Sequence, residues 1–355
     1  MVQNAAAHGP GGLNGLNGLD GLDELDRRII AALQIDGRAS WTAIAERCAT
    51  SVPTVARRAQ QLLSDGVVRV GVVPDINHAG AADLFILRIG CRPGHHADVA
   101  AALAARDDIR FVALVTGSAD IVAELNVVRA RSSQHGLVDE VLAIEGVERC
   151  ETELLLHQYK VGHDWSRQLL TGEDHVYTAP EKQECSPAHF DATDRAILAQ
   201  MRNDGRASFR TVGASLGVNE STIRRRFETL LANGCISVVT LVPAAALGFE
   251  SEILFMIRVT PARLDEVARE LASYRGVRYV AATLGSSSLM CEVILPTTRD
   301  LFAFVTGTLG GLDGVQGWTA GLELLTLKRG FIETPWSRSA LAGRAMHPVA
   351  LPTAH

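Results

Sequence analysis

The sequence predicts an α+β chain made of two copies of one unit, each a (winged) helix-turn-helix followed by a ferredoxin-like βαββαβ module, with the sheets of the copies pairing as a pseudo-dimer. Three observations predict it. First, the pentapeptide DGRAS stands at 36–40 and again at 204–208. A shift of 168 residues also sets Asp26-Arg27 on Asp194-Arg195, Trp41 on Phe209, Arg57-Arg58 on Arg225-Arg226 and Gly66 on Gly234. The same shift reaches Gly117-Ser118 and Gly285-Ser286, Glu124 and Glu292, and Lys160 and Lys328, while a gap in the crossover puts LFILRIG from Leu84 on LFMIRVT from Leu254. A whole unit of roughly 150 residues is therefore duplicated. Second, three short helical runs open each copy. Third, the remainder of each copy reads strand, helix, strand, strand, helix, strand, which is the split βαβ order.

In copy one, LDELDRRIIAAL puts Leu22, Leu25, Ile29 and Leu33 on one helical face, and Asp36-Gly37 ends the helix. SWTAIAERC follows, with Ser40 as cap and Trp41, Ile44 and Ala45 inward. TSVPTVARRAQQLLSDG opens on Thr50 or Ser51, tolerates Pro53 in its first turn and closes at Gly66. Two helices joined by a short turn after a packing helix make a helix-turn-helix. VVRVGVVPD then reads as a short two-stranded wing. The strands and helices of the module are DLFILRIGC, HADVAAALAAR, IRFVALVT, DIVAELNVV, SSQHGLVDEVLAI and VERCETELLLHQYK, and copy two repeats the order from SEILFMIRV to VQGWTAGLELLTLK. The expected division is a flexible tail over 1–21, the first helix-turn-helix over 22–75 and its module over 76–165, then a linker over 166–189. The second helix-turn-helix follows over 190–243, its module over 244–336 and a flexible tail over 337–355.

The third helix carries the chemistry. Val55, Ala59 and Leu62 form its buried stripe, leaving Ser51, Thr54, Arg57 and Arg58 on the polar side. In copy two Ile223, Phe227 and Leu230 point inward, with Ser221, Thr222, Arg224, Arg225 and Arg226 exposed. Guanidinium forks match guanine edges and phosphates, and hydroxyls at a helix N-terminus suit phosphate oxygens, so double-stranded DNA is the expected partner. Arg38 and Arg206, in the turn before the second helix, are expected within reach of a phosphate. Because TVARR and TIRRR differ, the expected operator is an imperfect palindrome.

Composition bounds the rest. The 355 residues are 47% hydrophobic and 21% charged with a formal net charge of -6, which argues against a polycation coating nucleic acid yet permits local basic faces. Six cysteines without a C-x-x-C pair point to reduced thiols and a cytoplasmic protein, with neither metal nor cofactor expected. No apolar run is long enough to span a bilayer, and the N-terminal stretch lacks the pattern of a signal peptide. GTLGGLDG at 307–314 lacks the Gly-Lys-Ser/Thr ending of a phosphate loop, and His95-His96 has no matched ligand at metal spacing, so no enzyme is expected.

LDELDRRIIAALQIDGRASWTAIAERCATSVPTVARRAQQLLSDGVV, followed by a module carrying VTGSAD between its second and third strands, resembles the Lrp/AsnC family of transcription regulators; so does copy two. The resemblance implies DNA binding by the helices and dimerisation through the sheets. It also implies self-association beyond the pseudo-dimer and a small effector, an amino acid or related metabolite, bound near the Gly-containing loop. Carried over, that loop is Thr116, Gly117, Ser118 and Asp120, and in copy two Leu284, Gly285, Ser286 and Ser288. Ser288 standing where copy one has Asp120 implies two unequal sites, since a carboxylate pairs with an ammonium group and a hydroxyl does so only weakly. The same layout also resembles siroheme decarboxylases, the alternative in which the helices no longer read DNA.

Overall fold

The computed structural model describes residues 22–75, 82–128, 135–166 and 190–344. The expected N-terminal tail and all but Ser166 of the expected linker lie outside these. Head one consists of α1 (Glu24–Ile35), α2 (Trp41–Arg47) and α3 (Val52–Ser64). Head two repeats it with α6 (Ala192–Met201), α7 (Phe209–Leu216) and α8 (Glu220–Ala232). Local chemistry sets their starts: Asp23 and Asp191 each form a reciprocal capping box with the aspartate three residues on. Ser40, Ser51 and Ser208 cap the following helices by accepting from backbone N–H groups. Gly66 and Gly234 take positive φ, 70° and 68°, after α3 and α8, a conformation that favours glycine.

The wing differs from expectation. Each head is followed by one strand, β1 (Arg69–Pro74) or β6 (Ile236–Leu241), and the two pair antiparallel with each other. Among the described residues neither strand has a partner within its own copy, and its N–H and C=O groups are satisfied by the other copy. Each head also packs across the duplication. Val242, Ala246 and Leu247 enter the core of head one, and Val72 enters that of head two. The Thr240 hydroxyl donates to the Leu33 carbonyl at 2.7 Å. At Gly71 a Cβ would overlap the Arg202 carbonyl, so only glycine admits head two this closely.

Module one contains β2 (Ala82–Cys91), α4 (His96–Ala105), β3 (Ile109–Val115), β4 (Ile121–Val128), α5 (His135–Leu142) and β5 (Val147–Val161). Module two contains β7 (Ser251–Val259), α9 (Leu264–Ser273), β8 (Val277–Leu284), β9 (Leu289–Leu295), α10 (Thr298–Ala303) and β10 (Val315–Arg329). The modules join at both edges, β5 to β8 and β10 to β3. With β10 also paired to β7, the order β10-β3-β4-β2-β5-β8-β9-β7 closes into an eight-stranded barrel. Closure leaves no open edge among these strands. The helices pack outside, and the inward faces meet in an apolar cluster including Ile86, Phe111, Leu254 and Met290.

Two expectations change here. Cys91 N donates to Asp120 and Val259 N to Ser288, while Asp120 N donates to the Ile89 carbonyl and Ser288 N to that of Ile257. The shift of 168 therefore holds through the crossover without a gap, placing Glu252, not Leu254, on Leu84. The expected flexible tail after Trp336 is also partly helical: β11 (Ile332–Glu333) leads into α11 (Pro335–Arg344), anchored by buried Trp336.

GTLGGLDG lies at the end of α10, where the helix widens over Phe304–Leu309 and turns at Gly314, whose φ is 99°. His95 precedes α4 and sits against Gly146. Among the described residues no helix is long and apolar enough to cross a membrane.

Candidate nucleic-acid interface and buried cavity

On α3, Ser51 and Arg57 are exposed and Thr54 is partly so; on α8, Ser221, Arg224 and Arg225 are exposed and Thr222 partly so. The Ser51 and Thr54 hydroxyls lie 2.8 Å apart at the start of α3. Arg224 is held by Glu220 at 3.0 Å and lies 4.9 Å from the Phe209 ring centre. Arg57 and Arg225 thus present guanidinium groups from outer faces whose inner stripes, Val55–Ala59–Leu62 and Ile223–Phe227–Leu230, are buried as the periodicity predicts.

Four arginines expected to contact DNA have partners within the chain. Arg58 pairs with Asp23 at 2.7 Å and Asp26 at 2.9 Å, and Arg226 pairs with Asp191 and Asp194 at the same distances. These pairs tie each third helix to the start of its first. Arg38 reaches into the other copy, donating to the carbonyls of Gly205 and, at 3.1 Å, Ala207, with its guanidinium 4.5 Å from the Phe209 ring centre. Arg206 reciprocates, donating to Gly37 at 2.6 Å and Ala39 at 3.0 Å and lying 4.0 Å from the Trp41 ring centre. Sequence spacing places both arginines in a turn; it does not say that the turns face each other.

The Gly-containing loops are tightly seated. Thr116 accepts at its hydroxyl from Leu322 N, 2.9 Å, and Ser118 O accepts from Arg149. A Cβ on Gly117 would come within 2.9 Å of the Ala320 carbonyl oxygen. Asp120, expected to receive an ammonium group, is exposed and accepts through one oxygen from Cys91 N at 2.8 Å, and Ser288 performs the same service for Val259 N at 3.1 Å. The two loops are unequal in another way. Ser286 and Ser287 donate to Glu153, which with Glu151 pairs with Arg88, and Gly285 packs on Glu153. The positions equivalent to Arg88, Glu151 and Glu153 are Met256, Thr319 and Gly321. Exposed Leu284 stands beside this charged cluster.

The sequence pattern did not reveal a buried charged group at one end of the barrel. Arg110 pairs with Glu124. Its counterpart Arg278 donates through Nε to Glu292 at 2.9 Å, and Arg329 donates to Glu292 at 2.8 Å and to Glu323 at 3.0 Å. Burial and adjacent Glu292 push Glu323 well above the usual carboxylate range. Burial would raise Glu292 as well, but Arg278 and Arg329 outweigh it and hold Glu292 well below that range. Above this group lies an open cavity of about 130 Å³, lined by Trp165, Phe249, Glu252, Glu323 and Trp336 among others. A comparison at the ungapped shift would have found it, because Glu252, Glu323 and Arg329 stand where copy one has Leu84, Leu155 and Val161.

His163 lies in the same region, and burial together with Arg110 and Arg329 lowers its pKa to about 4. A histidine uncharged in the fold but protonated when unfolded costs stability as pH falls from its ordinary value near 6.5 toward 4. His163→Phe, the residue of copy two at this position (Phe331), should flatten the acid side of the stability curve by at most about 1.4 kcal/mol per pH unit in that window. Denaturant midpoints at several pH values check this, and an unchanged slope would refute it.

Two family models match, each twice: the AsnC-type helix-turn-helix domain over 22–63 and 190–231, and the Lrp/AsnC ligand binding domain over 84–164 and 252–330. Together they account for more than half of the residues. The chain belongs to the Lrp/AsnC family. This Lrp/AsnC protein is 31% identical over 143 residues to an HTH-type transcriptional regulator of Pyrococcus furiosus, spanning 40% of this chain and 97% of the relative. It is 27% identical over 140 residues to the HTH-type transcriptional regulator LrpA of Pyrococcus horikoshii, spanning 39% and 99%. Each relative is thus the length of one copy. Among solved structures, the siroheme decarboxylase NirDL is similar over 92% of this chain and 100% of its own, with a TM-score of 0.57 and 14% identity. That likeness concerns the fold of the whole Lrp/AsnC tandem.

Proposed function

We propose that this chain is a DNA-binding transcriptional regulator that supplies both halves of a family dimer and reads two unequal half-sites. The observation that supports it best is the pair of outward third-helix faces. Ser51, Thr54 and Arg57 stand on one, and Ser221, Thr222, Arg224 and Arg225 on the other, while β1–β6 pairing and the two crossed arginines bind the heads together. Hydroxyls at helix N-termini suit phosphates, and guanidinium groups one turn on suit phosphates or guanine. One arginine against two makes the operator an imperfect palindrome, its half-sites about 34 Å apart along the duplex. A small effector modulates binding, and chains assemble further.

The test uses duplexes selected from a random pool and fluorescence anisotropy over a range of salt. Arg57→Ala and Arg225→Ala should each weaken binding roughly tenfold, with the salt slope falling by about 1 for each phosphate no longer neutralised. Unchanged affinity and slope in both variants would sink the reading.

A second reading is favoured by the whole-chain likeness to NirDL: an enzyme acting on a carboxylated tetrapyrrole. The cavity chemistry weighs against it, since Arg278 and Arg329 already face three carboxyls, Glu252, Glu292 and Glu323, and Glu250 adds further negative charge. A tetrapyrrole absorption band on adding siroheme, with release of carbon dioxide, would reverse the choice.

A further inference from the structure

We propose that the cavity between the β6–β7 connection that seats head one, the copy-two end of the barrel and α11 is a binding site for a small organic amine, held as its ammonium ion by Glu323 and Glu252 against walls formed by Trp165, Phe249 and Trp336. Calling the amine an effector rests on the regulator reading; the binding site does not.

Three independent features lead there. The first is an unmatched acid. Oxygens of Glu252, Glu292 and Glu323 lie within 4.8 Å of one another, facing two guanidinium groups, Arg278 and Arg329. Glu323 Oε2 accepts from Arg329 and from Thr326, each at 3.0 Å, yet Oε1, on a side chain only 1% exposed, receives no hydrogen bond and lies 3.9 Å from Arg278. Three carboxyls and two guanidinium groups leave room for one more cation. Burial beside Glu292 holds the Glu323 carboxyl well above the usual carboxylate range.

The second is divergence between the copies. Leu155 and Val161, at the positions of Glu323 and Arg329, pack on the apolar barrel cluster, so the fold is served there without charge. Burying ions is costly and rarely adds stability over apolar residues, so a charged group installed in one copy alone calls for a use. The third is the wall. Trp165 and Phe249 meet edge to face with centroids 5.4 Å apart, and Trp336 lines the same space. Aromatic faces attract an ammonium group and bury the apolar body attached to it.

The location gives binding a consequence. The cavity is lined by Thr240, Val242 and Ala244, in the segment that seats head one: Thr240 bonds Leu33 of α1, and Val242 enters the head core. The N–H of Ala244 is itself held by Glu252 at 3.0 Å. An ammonium ion on Glu252 thus bears directly on the strand end beneath one head, whereas the equivalent position beneath the other is Leu84. Binding energy that differs between two seats of the head becomes regulation.

Calorimetry on the full chain with tryptamine as probe tests the site, with tryptophol and indole-3-propionate as neutral and anionic controls. One tryptamine should bind per chain and both controls about tenfold weaker or less. One proton should leave Glu323 on binding, read from the dependence of the heat on buffer ionisation enthalpy. Glu323→Gln should weaken tryptamine by about tenfold and abolish proton release with thermal unfolding unchanged; Glu252→Gln should also weaken it and serves if the first variant misfolds. Equal binding of all three probes, no effect of either variant, or micromolar Mn²⁺ binding that Glu323→Gln removes would overturn the proposal. The titration contains no DNA, so its failure and failure of the regulator reading are separate results.

Discussion

Arg38→Ala should loosen the two heads and cost affinity for DNA carrying both half-sites while leaving the salt slope of binding unchanged. The side chain makes two bonds to carbonyls of the other copy and covers the Phe209 ring, and none of these partners is a phosphate. Removing it leaves two carbonyls without their cationic donor, at a cost of about 2 kcal/mol after allowance for solvent at the partly exposed clasp. Arg206→Ala should behave alike, since Arg206 holds Gly37 and Ala39 and covers Trp41. The double variant should bind an isolated half-site as wild type does, because spacing, not reading, has been damaged. Anisotropy with one-site and two-site duplexes checks this. A slope that falls by about 1 would instead put Arg38 on a phosphate, as its place in the sequence suggests.

The largest single loss of stability is expected at Arg278. Arg278→Met removes a guanidinium group matched to Glu292 and leaves the buried carboxylates short of a cation, at a cost of about 3–5 kcal/mol. Adding Glu292→Met should restore most of it, because Arg329 and Glu323 then remain as a matched pair at 3.0 Å. Breaking one partner strands a charge, whereas replacing both does not. Midpoints of guanidinium chloride unfolding compare the three proteins; a double variant no more stable than the single would refute this charge balance.

Much of the fold was legible because it is local. Capping aspartates and serines, the Val55–Ala59–Leu62 stripe and its counterpart, and the βαββαβ order all rest on residues within a few turns of one another. Of the expected DNA contacts, Ser51, Thr54, Arg57, Ser221, Thr222, Arg224 and Arg225 stand on accessible faces, whereas Arg38, Arg58, Arg206 and Arg226 are held by partners within the chain. The difference lies in partners remote in the chain. Arg58 looks free on a helical wheel until α1 brings Asp23 and Asp26 beside it. The gap placed in the crossover hid the buried site, since it set Leu84 on Leu254 and so concealed the exchange of a leucine for Glu252.

The repeated DGRAS shows both what residues alone decide and what only the assembled chain can. Repetition at a shift of 168, with matching caps and helical stripes, determined by itself that one unit is built twice and that each begins with a helix-turn-helix. Side-chain periodicity records which face an element buries, but not against which copy. Tertiary structure decided that the wings pair between copies, that the sheets close into a barrel, and that each DGRAS arginine clasps the opposite turn. These are bonds between residues far apart in the chain, and a backbone edge is equally ready to pair with either copy until the barrel and the heads bring one of them within reach.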